Sequence, residues 1–304
     1  MTGIIVLDKP AGMTSFAAVK KVRWCAGEKK AGHCGTLDPM ATGVLPIMLG
    51  GATKFLDYLP EEEKCYTAGF RLGIRTDTLD ITGDVLEEHP VTCTRAEVEQ
   101  ALEPFCGEIL QVPPMYSALK QDGVRLYELA RKGQEVERKA RSVTIRSLEL
   151  LPQSGENTNE YVLSVSCSKG TYIRTLIDDL GTALGCGAVM TSLRRTATCG
   201  FSADEAVTVE TLEKAREAET LSQYLIPLDR ALSRYPAVGI TPKQSVRFSN
   251  GGALDLERVY AFRKQLPENS TLYRVYSNTH EFLGLGETDR ETGTLSVKRI
   301  FVRR

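Results

Sequence analysis

The loop GHCGTLDPMATGVLP, residues 32–46, places one acidic side chain between glycines and a proline. The carboxylate belongs to Asp38, and Pro39 fixes the backbone immediately after it, while the glycines leave room for a ligand to come close. An aspartate is ionised at neutral pH and can act as a nucleophile or as a base. Alternatively, Asp38 is a turn residue whose side chain binds a nearby backbone N–H. The loop alone leaves both interpretations open.

Other motifs that could supply chemistry are absent from the sequence. It contains neither the Walker phosphate-binding pattern nor the G-x-S-x-G nucleophile elbow. Its eight cysteines stand singly, without a C-x-x-C pair, and its three histidines are scattered. We therefore expect eight unpaired thiols, no disulfide and no metal site.

The basic residues are concentrated in particular segments, although the formal net charge of the chain is only −1. Residues 120–146 contain eight basic and four acidic side chains, and residues 290–304 contain five basic and one acidic. This segregation favours an RNA-binding face, with a solvated surface as the alternative for each segment. The basic residues predicted to contact RNA are Arg131, Lys132, Arg138, Lys139, Arg194 and Arg195.

Strands and helices alternate irregularly around the Asp38 loop. A helix is expected to start with Ser15 as its N-cap, and alternation over residues 66–72 predicts a strand with one buried face. Thr94 and Glu97 have the spacing of a capping box. A further helix is expected to run to about Leu184. This irregular mixture of strands and helices indicates an α+β fold.

The pattern changes near residue 235 to short strand-like pieces separated by Gly, Asn and Asp turns, which predicts a small β-barrel. We therefore predict two domains, at residues 1–232 and 236–304. No apolar run is long enough for a membrane span or a signal sequence. A cytoplasmic protein without membrane association is expected.

The chain resembles the TruB family of bacterial tRNA pseudouridine synthases in six segments that follow one another in the same order. They are LDKPAGMTS (7–15), GHCGTLDPMATGVLP (32–46), YTAGFRLGIRTDTLD (66–80), QVPPMYSALKQDGVRLYELAR (111–131), SKGTYIRTLIDDLG (168–181) and LRRTATCGF (193–201). The segment LGLGETDRETGTLSVKRIF resembles the small PUA-like RNA-binding domain that ends these enzymes. The resemblance implies an α+β pseudouridine synthase domain built on a mixed sheet, with an RNA-clamping insert at about 108–141, followed by a PUA-like domain.

The resemblance also implies an activity and roles for individual residues. The T-loop uridine at position 55 of tRNA would be isomerised to pseudouridine without a cofactor. Asp38 matches the essential aspartate of the family, and Arg174 matches the arginine that pairs with it. Tyr66 is expected to stack on the target base and to accept its C5 proton. The residues expected to bind the substrate around the site are Lys9, His33, Tyr66, Tyr172 and Leu193.

Two other functions use a similar surface: a non-catalytic protein that binds or folds tRNA, and a guide-RNA-dependent pseudouridine synthase. The complete set of Asp38, Tyr66 and Arg174 favours catalysis, because binding alone needs none of them. The long basic insert favours the stand-alone form. We therefore expect a monomer that acts on the T stem-loop of tRNA without a guide RNA or an obligate protein partner.

Overall fold

The computed structural model describes residues 1–60, 63–152, 159–259, 261 and 270–301. The strands in these residues are β1 (Gly3–Lys9), β2 (Ala31–His33), β3 (Thr42–Leu49), β4 (Lys64–Leu72), β5 (Ile74–Thr76), β6 (Val85–Glu88), β7 (Gly107–Gln111), β8 (Lys120–Gln121), β9 (Val124–Arg125), β10 (Arg141–Leu150), β11 (Glu160–Cys167), β12 (Ala188–Thr198), β13 (Phe201–Ser202), β14 (Ala237–Gly239), β15 (Leu254–Asp255), β16 (Leu272–Tyr276), β17 (Phe282–Asp289) and β18 (Thr294–Ile300). The α-helices are α1 (Ser15–Cys25), α2 (Arg95–Ala101), α3 (Leu126–Ala130), α4 (Ile173–Ala183), α5 (Val209–Glu217), α6 (Leu228–Ala231) and α7 (Pro242–Ser249).

The larger sheet has the strand order β1-β3-β12-β4-β11-β10-β7. Two short strands are added to it: β2 pairs with β3, and β13 pairs with β12. β12 runs parallel to β3 and antiparallel to β4, and the other neighbouring pairs are antiparallel. The prediction of an α+β fold on a mixed sheet is therefore confirmed. The second sheet, β14-β16-β17-β18-β15, is the small β unit expected near the C-terminus. The domain limits at residues 232 and 236 stay a prediction.

The core of the larger unit follows the alternation that the sequence contains. Tyr66, Ala68, Phe70 and Leu72 on β4 are all buried, as the period of two predicts. α4 packs directly on the start of β12, and a Cβ atom added at Gly181 would lie 2.1 Å from the backbone nitrogen of Ala188. Only glycine permits this close approach of helix and strand. The helix that carries Arg174 is thereby held against the centre of the sheet.

The start of α2 and the end of α4 lie where the sequence predicts them, whereas the start of α1 does not. The capping box of Thr94 and Glu97 is present, and α4 ends at Ala183, as expected. The predicted N-cap of α1, Ser15, is one residue too late, because the hydroxyl of Thr14 accepts the hydrogen bond from the backbone N–H of Ala17. Ser15 lies inside the helix, where its hydroxyl is available for another contact.

The cysteine prediction is wrong at two positions, since Cys34 and Cys199 form a disulfide across a sequence separation of 165 residues. Spacing rules for short motifs do not detect a pair so distant in the chain. The other six cysteines are free thiols. Within the described residues, no three His, Cys, Asp or Glu side chains cluster as a metal site would require. The described helices include none that is long and apolar enough to cross a membrane.

Candidate active site

Asp38 lines a cleft with a volume of about 1610 Å³. The backbone on each side of this residue is fixed. The Ser15 hydroxyl accepts a hydrogen bond from the Leu37 N–H at 2.8 Å and donates one to the Leu37 carbonyl at 3.0 Å. The Lys9 ammonium donates to the Pro39 carbonyl at 3.2 Å. The side chain of Asp38 remains 36% exposed, so a rigid loop presents a carboxylate to the cleft.

Arg174 is the partner of this carboxylate. Its guanidinium is buried, and its Nη2 lies 3.0 Å from Oδ2 of Asp38. The same group donates to the carbonyls of Thr78, at 2.9 Å, and Tyr116, at 2.8 Å. Both carbonyls hold the guanidinium in one orientation, which in turn orients the carboxylate of Asp38.

A second carboxylate, Asp80, lies near Arg174, although no motif in the sequence marks it as part of the site. Its Oδ2 is 3.7 Å from the Arg174 guanidinium, and its side chain is 8% exposed. Its Oδ1 accepts hydrogen bonds from the Thr78 hydroxyl and the Thr82 N–H, both at 3.0 Å. The only signal in the sequence is the acidic run TDTLD, which is equally typical of a turn.

Arg195 does not lie on the RNA face, and that prediction is wrong. The side chain is 0% exposed. Its Nε donates to the carbonyl of Val44 at 2.7 Å, and its two terminal nitrogens donate to Gly35, at 3.1 Å, and Thr36, at 3.5 Å. Arg195 therefore binds the backbone of the Asp38 loop from within the protein.

The close packing of β3 against β12 explains why Arg195 is enclosed. Gly43 pairs with Arg195 in the parallel register of these strands and has a φ of +100°. A Cβ atom at Gly43 would lie 2.2 Å from the carbonyl oxygen of Arg195, so a larger residue would push the strands apart. The glycine thus allows the buried arginine to reach the loop.

The hydroxyl of Tyr66 lies beside the Arg195 guanidinium. Burial raises the pKa of Tyr66 to about 12, and the neighbouring Arg195 opposes that rise. The phenol is therefore neutral near pH 7 and can donate or accept a hydrogen bond.

Burial also raises the pKa of Tyr172, which precedes α4. The side-chain amide of Gln111 donates to the Tyr172 carbonyl at 3.0 Å and accepts from its N–H at 2.7 Å, a contact that the sequence did not suggest.

His33 and Leu193 line the cleft together with Asp38. Burial lowers the pKa of His33, and the charge of Arg195 lowers it further, so the imidazole is neutral at neutral pH. Lys9, in contrast, is 0% exposed and donates to the carbonyls of Pro10 and Met13 as well as Pro39. The prediction that Lys9 contacts the substrate is contradicted, because its ammonium is occupied beneath the loop.

Family models match three consecutive parts of the chain. The N-terminal domain of the TruB family pseudouridylate synthases matches residues 23–173. A C-terminal domain of tRNA pseudouridylate synthase B matches residues 174–233, and the C-terminal region of pseudouridine synthase II TruB matches residues 236–301.

Curated relatives cover almost the whole chain. It is 46% identical to tRNA pseudouridine synthase B of Stutzerimonas stutzeri over 99% of this chain and 95% of the relative. The chain belongs to the TruB family of pseudouridine synthases. The protein of that name from Pseudomonas aeruginosa is also 46% identical, over 99% of this chain and 96% of the relative.

Solved structures agree with the family assignment. A Cbf5–Nop10–Gar1 complex contains a chain that matches this one with a TM-score of 0.72 and 28% identity, covering 100% of this chain and 86% of that one. An H/ACA ribonucleoprotein bound to a substrate RNA matches with a TM-score of 0.71 and 26% identity, covering 100% and 86% of the two chains. The pseudouridine synthase fold with a C-terminal PUA-like domain is confirmed.

Basic residues extend from the TruB-family site along the predicted insert. Arg131 lines the cleft, with its guanidinium carbon 5.5 Å from the centre of the Tyr127 ring. Lys132 and Lys139 are exposed, and Arg138 pairs with Glu135 at 3.1 Å. The insert thus presents Arg131 to the cleft and two further cations, Lys132 and Lys139, to solvent.

The insert is connected to the rest of the site by two contacts of Tyr116. Its carbonyl accepts a hydrogen bond from Arg174, and its hydroxyl donates one to the carboxylate of Asp77 at 3.0 Å.

Arg194 lines the cleft as well and pairs with Asp8 at 2.9 Å. The terminal part of the basic C-terminal segment, residues 303–304, lies outside the described residues.

Proposed function

We propose that this TruB-family protein converts the T-loop uridine at position 55 of tRNA to pseudouridine, with Asp38 as the essential carboxylate. The observation that carries the proposal is the ion pair of Asp38 and Arg174 in a cleft with basic residues around it. The relatives named tRNA pseudouridine synthase B support tRNA as the substrate. A monomer acting on the T stem-loop without a guide RNA is part of the same proposal.

The reaction is an isomerisation and needs no outside reactant. The bond between C1′ and N1 breaks, the uracil turns over, and a bond forms between C1′ and C5. The hydrogen on C5 leaves as a proton, and N1 gains one, so atoms and electrons balance. Asp38 acts at the sugar, either as a nucleophile at C1′ or as a base that removes a ribose proton. Arg174 orients its carboxylate and supplies the counter-charge when the bound RNA excludes water from the cleft.

The other residues bind and orient the base in this proposal. A stacked target base must leave the RNA loop to reach Asp38. Tyr66 stacks on the uracil, and its neutral hydroxyl, beside Arg195, relays the C5 proton: the phenol oxygen accepts that proton while its own proton passes to the solvent. Leu193 and Tyr172 enclose the base, and His33, which is neutral and planar, occupies the space that the base leaves in the RNA loop. The cations of the insert bind the RNA phosphates.

The test is to incubate an unmodified tRNA transcript with the protein alone and to map pseudouridine along the RNA. Product at position 55, and its loss when that uridine is replaced by cytidine, supports the proposal. Tight binding without product would indicate a tRNA-binding or tRNA-folding protein. Product that forms only after a guide RNA is added would indicate the guide-dependent type.

A further inference from the structure

Helix α1 leads away from the cleft and presents an unusual surface. Phe16, in its first turn, lines the cleft and has 66% of its surface exposed. Trp24, near the other end, is 53% exposed. Trp24 lies eight positions after Phe16, which corresponds to about 12 Å along the helix. Two large aromatic side chains are therefore exposed on one helix that starts at the cleft, a feature typical of binding surfaces.

All the charged side chains of α1 are basic. The helix has the sequence SFAAVKKVRWC and contains no acidic residue. Lys20 and Arg23 are exposed between the two aromatic residues. Lys21 forms an ion pair with Glu213 of α5, so the cations of α1 that remain for a partner are Lys20 and Arg23. This face thus attracts polyanions.

Cations and aromatic rings are also in contact with one another on this helix. The ammonium of Lys20 lies 4.6 Å from the centre of the Phe16 ring. The guanidinium carbon of Arg216, from α5, lies 3.5 Å from the centre of the Trp24 ring. Proteins that bind nucleic acid strands combine these groups, since cations bind phosphates and rings stack on bases.

We propose that this surface, formed by Phe16, Lys20, Arg23 and Trp24 and called here the α1 face, binds the sugar–phosphate backbone of the substrate RNA next to the nucleotide in the cleft. RNA fits the face because its phosphates complement the cations and because the face is continuous with the cleft through Phe16. The inference rests on the proposed function for the identity of the RNA. It adds an RNA contact outside the basic insert.

The first test measures the affinity of an unmodified T stem-loop RNA at several salt concentrations for the double variant Lys20→Gln/Arg23→Gln. The affinity falls, and the slope of log K against log salt becomes less negative by about 1.4 to 1.8, because each neutralised phosphate contributes about 0.7 to 0.9. The matched control is Lys54→Gln/Lys214→Gln, which removes the same charge from two exposed positions outside the α1 face. The control keeps the wild-type slope.

The second test uses Trp24, which is the single tryptophan of the chain. Its fluorescence therefore reports on the α1 face alone. Addition of the stem-loop RNA changes the emission with the same midpoint as binding, and it protects Trp24 from quenching by acrylamide. A wild-type slope in Lys20→Gln/Arg23→Gln, or unchanged emission and quenching at saturating RNA, overturns the proposal.

Product formation separates this proposal from the proposed function. At saturating enzyme, Lys20→Gln/Arg23→Gln forms pseudouridine at the wild-type single-turnover rate, since neither residue reaches the reacting base. Wild-type protein that binds the RNA through the α1 face without making product contradicts the proposed function but supports the α1 face. If the wild-type protein forms product normally and the double variant keeps the wild-type salt slope, the proposed function is supported and the role of the α1 face is contradicted.

Discussion

Arg194 and Arg195 are consecutive residues of β12, yet one is exposed at the cleft and the other is enclosed. The Arg194 side chain is 42% exposed and forms two hydrogen bonds with Asp8, at 2.9 and 3.0 Å. Arg195 is 0% exposed and binds backbone carbonyls of the Asp38 loop and of β3. Successive side chains of a strand point in opposite directions, which gives the two arginines different surroundings.

Substitution should separate the roles of these two arginines. Arg195→Lys slows pseudouridine formation by about tenfold or more at saturating RNA, because one ammonium cannot replace a guanidinium fork on several carbonyls. Its RNA affinity stays close to wild type. Arg194→Gln weakens RNA affinity and leaves the single-turnover rate unchanged. Filter binding and single-turnover assays measure both quantities, and equal effects of the two substitutions on affinity and rate would contradict the assignment.

Asp38→Asn preserves the shape of the side chain and removes its charge. Pseudouridine formation should vanish, while tRNA affinity stays within about tenfold of wild type, which is about 1.4 kcal/mol. Asp57→Asn, an exposed aspartate, is the control and keeps full activity. Single-turnover product from Asp38→Asn, shown to be free of wild-type enzyme, would exclude the essential role of the carboxylate.

The two roles proposed for Tyr66 can be separated with two variants. Tyr66→Leu removes the ring and should weaken binding of the base by about 1 to 3 kcal/mol. Tyr66→Phe keeps the ring, so it binds RNA normally, but the reaction stops after the new carbon–carbon bond forms because the hydroxyl is missing. Single-turnover kinetics on a T stem-loop compare both with wild type. Wild-type turnover of Tyr66→Phe would leave stacking as the only role.

The cations of the insert should act on affinity rather than on chemistry. Replacing Arg131, Lys132, Arg138 and Lys139 by alanine weakens tRNA binding. The salt dependence flattens by about 0.7 to 0.9 for each phosphate that the variant no longer neutralises. The rate at saturating enzyme remains that of the wild type. If the slope is unchanged, these side chains form a solvated surface and the RNA-clamping role is wrong.

Lys9 predicts a pH dependence of stability. Burial lowers its pKa to about 8 from the ordinary value of 10.5, so between these values the unfolded chain binds more protons than the folded one. Wild-type stability therefore rises with pH relative to Lys9→Met, by about 2 kcal/mol between about pH 7.5 and about pH 9.5. Urea unfolding at both pH values measures the difference. Lys29→Met, at an exposed position, is the control. If the difference in unfolding free energy between wild type and Lys9→Met does not change with pH, the prediction is contradicted.

Local patterns in the sequence determined much of the fold and the centre of the site. The alternation on β4 and the capping box of Thr94 depend only on residues nearby in the chain. The glycine-rich loop around Asp38 was also visible in the sequence, and Arg174 was assigned from the resemblance of its segment to the TruB family. The structure brings these two residues together at 3.0 Å. Such features are encoded locally, because turns, caps and strand faces follow from short-range sterics and hydrogen bonds.

Burial of charged groups and pairing of distant residues were decided only by the tertiary structure. The sequence LRR has the appearance of a basic surface, yet the packing of β3 on β12 encloses Arg195. Lys9 and Asp80 are buried as well, and Cys199 meets Cys34 from the far end of β12. A buried charge is stabilised by the carbonyls or counter-charges that surround it. Those partners come from other parts of the chain, so no pattern of neighbouring residues could identify them.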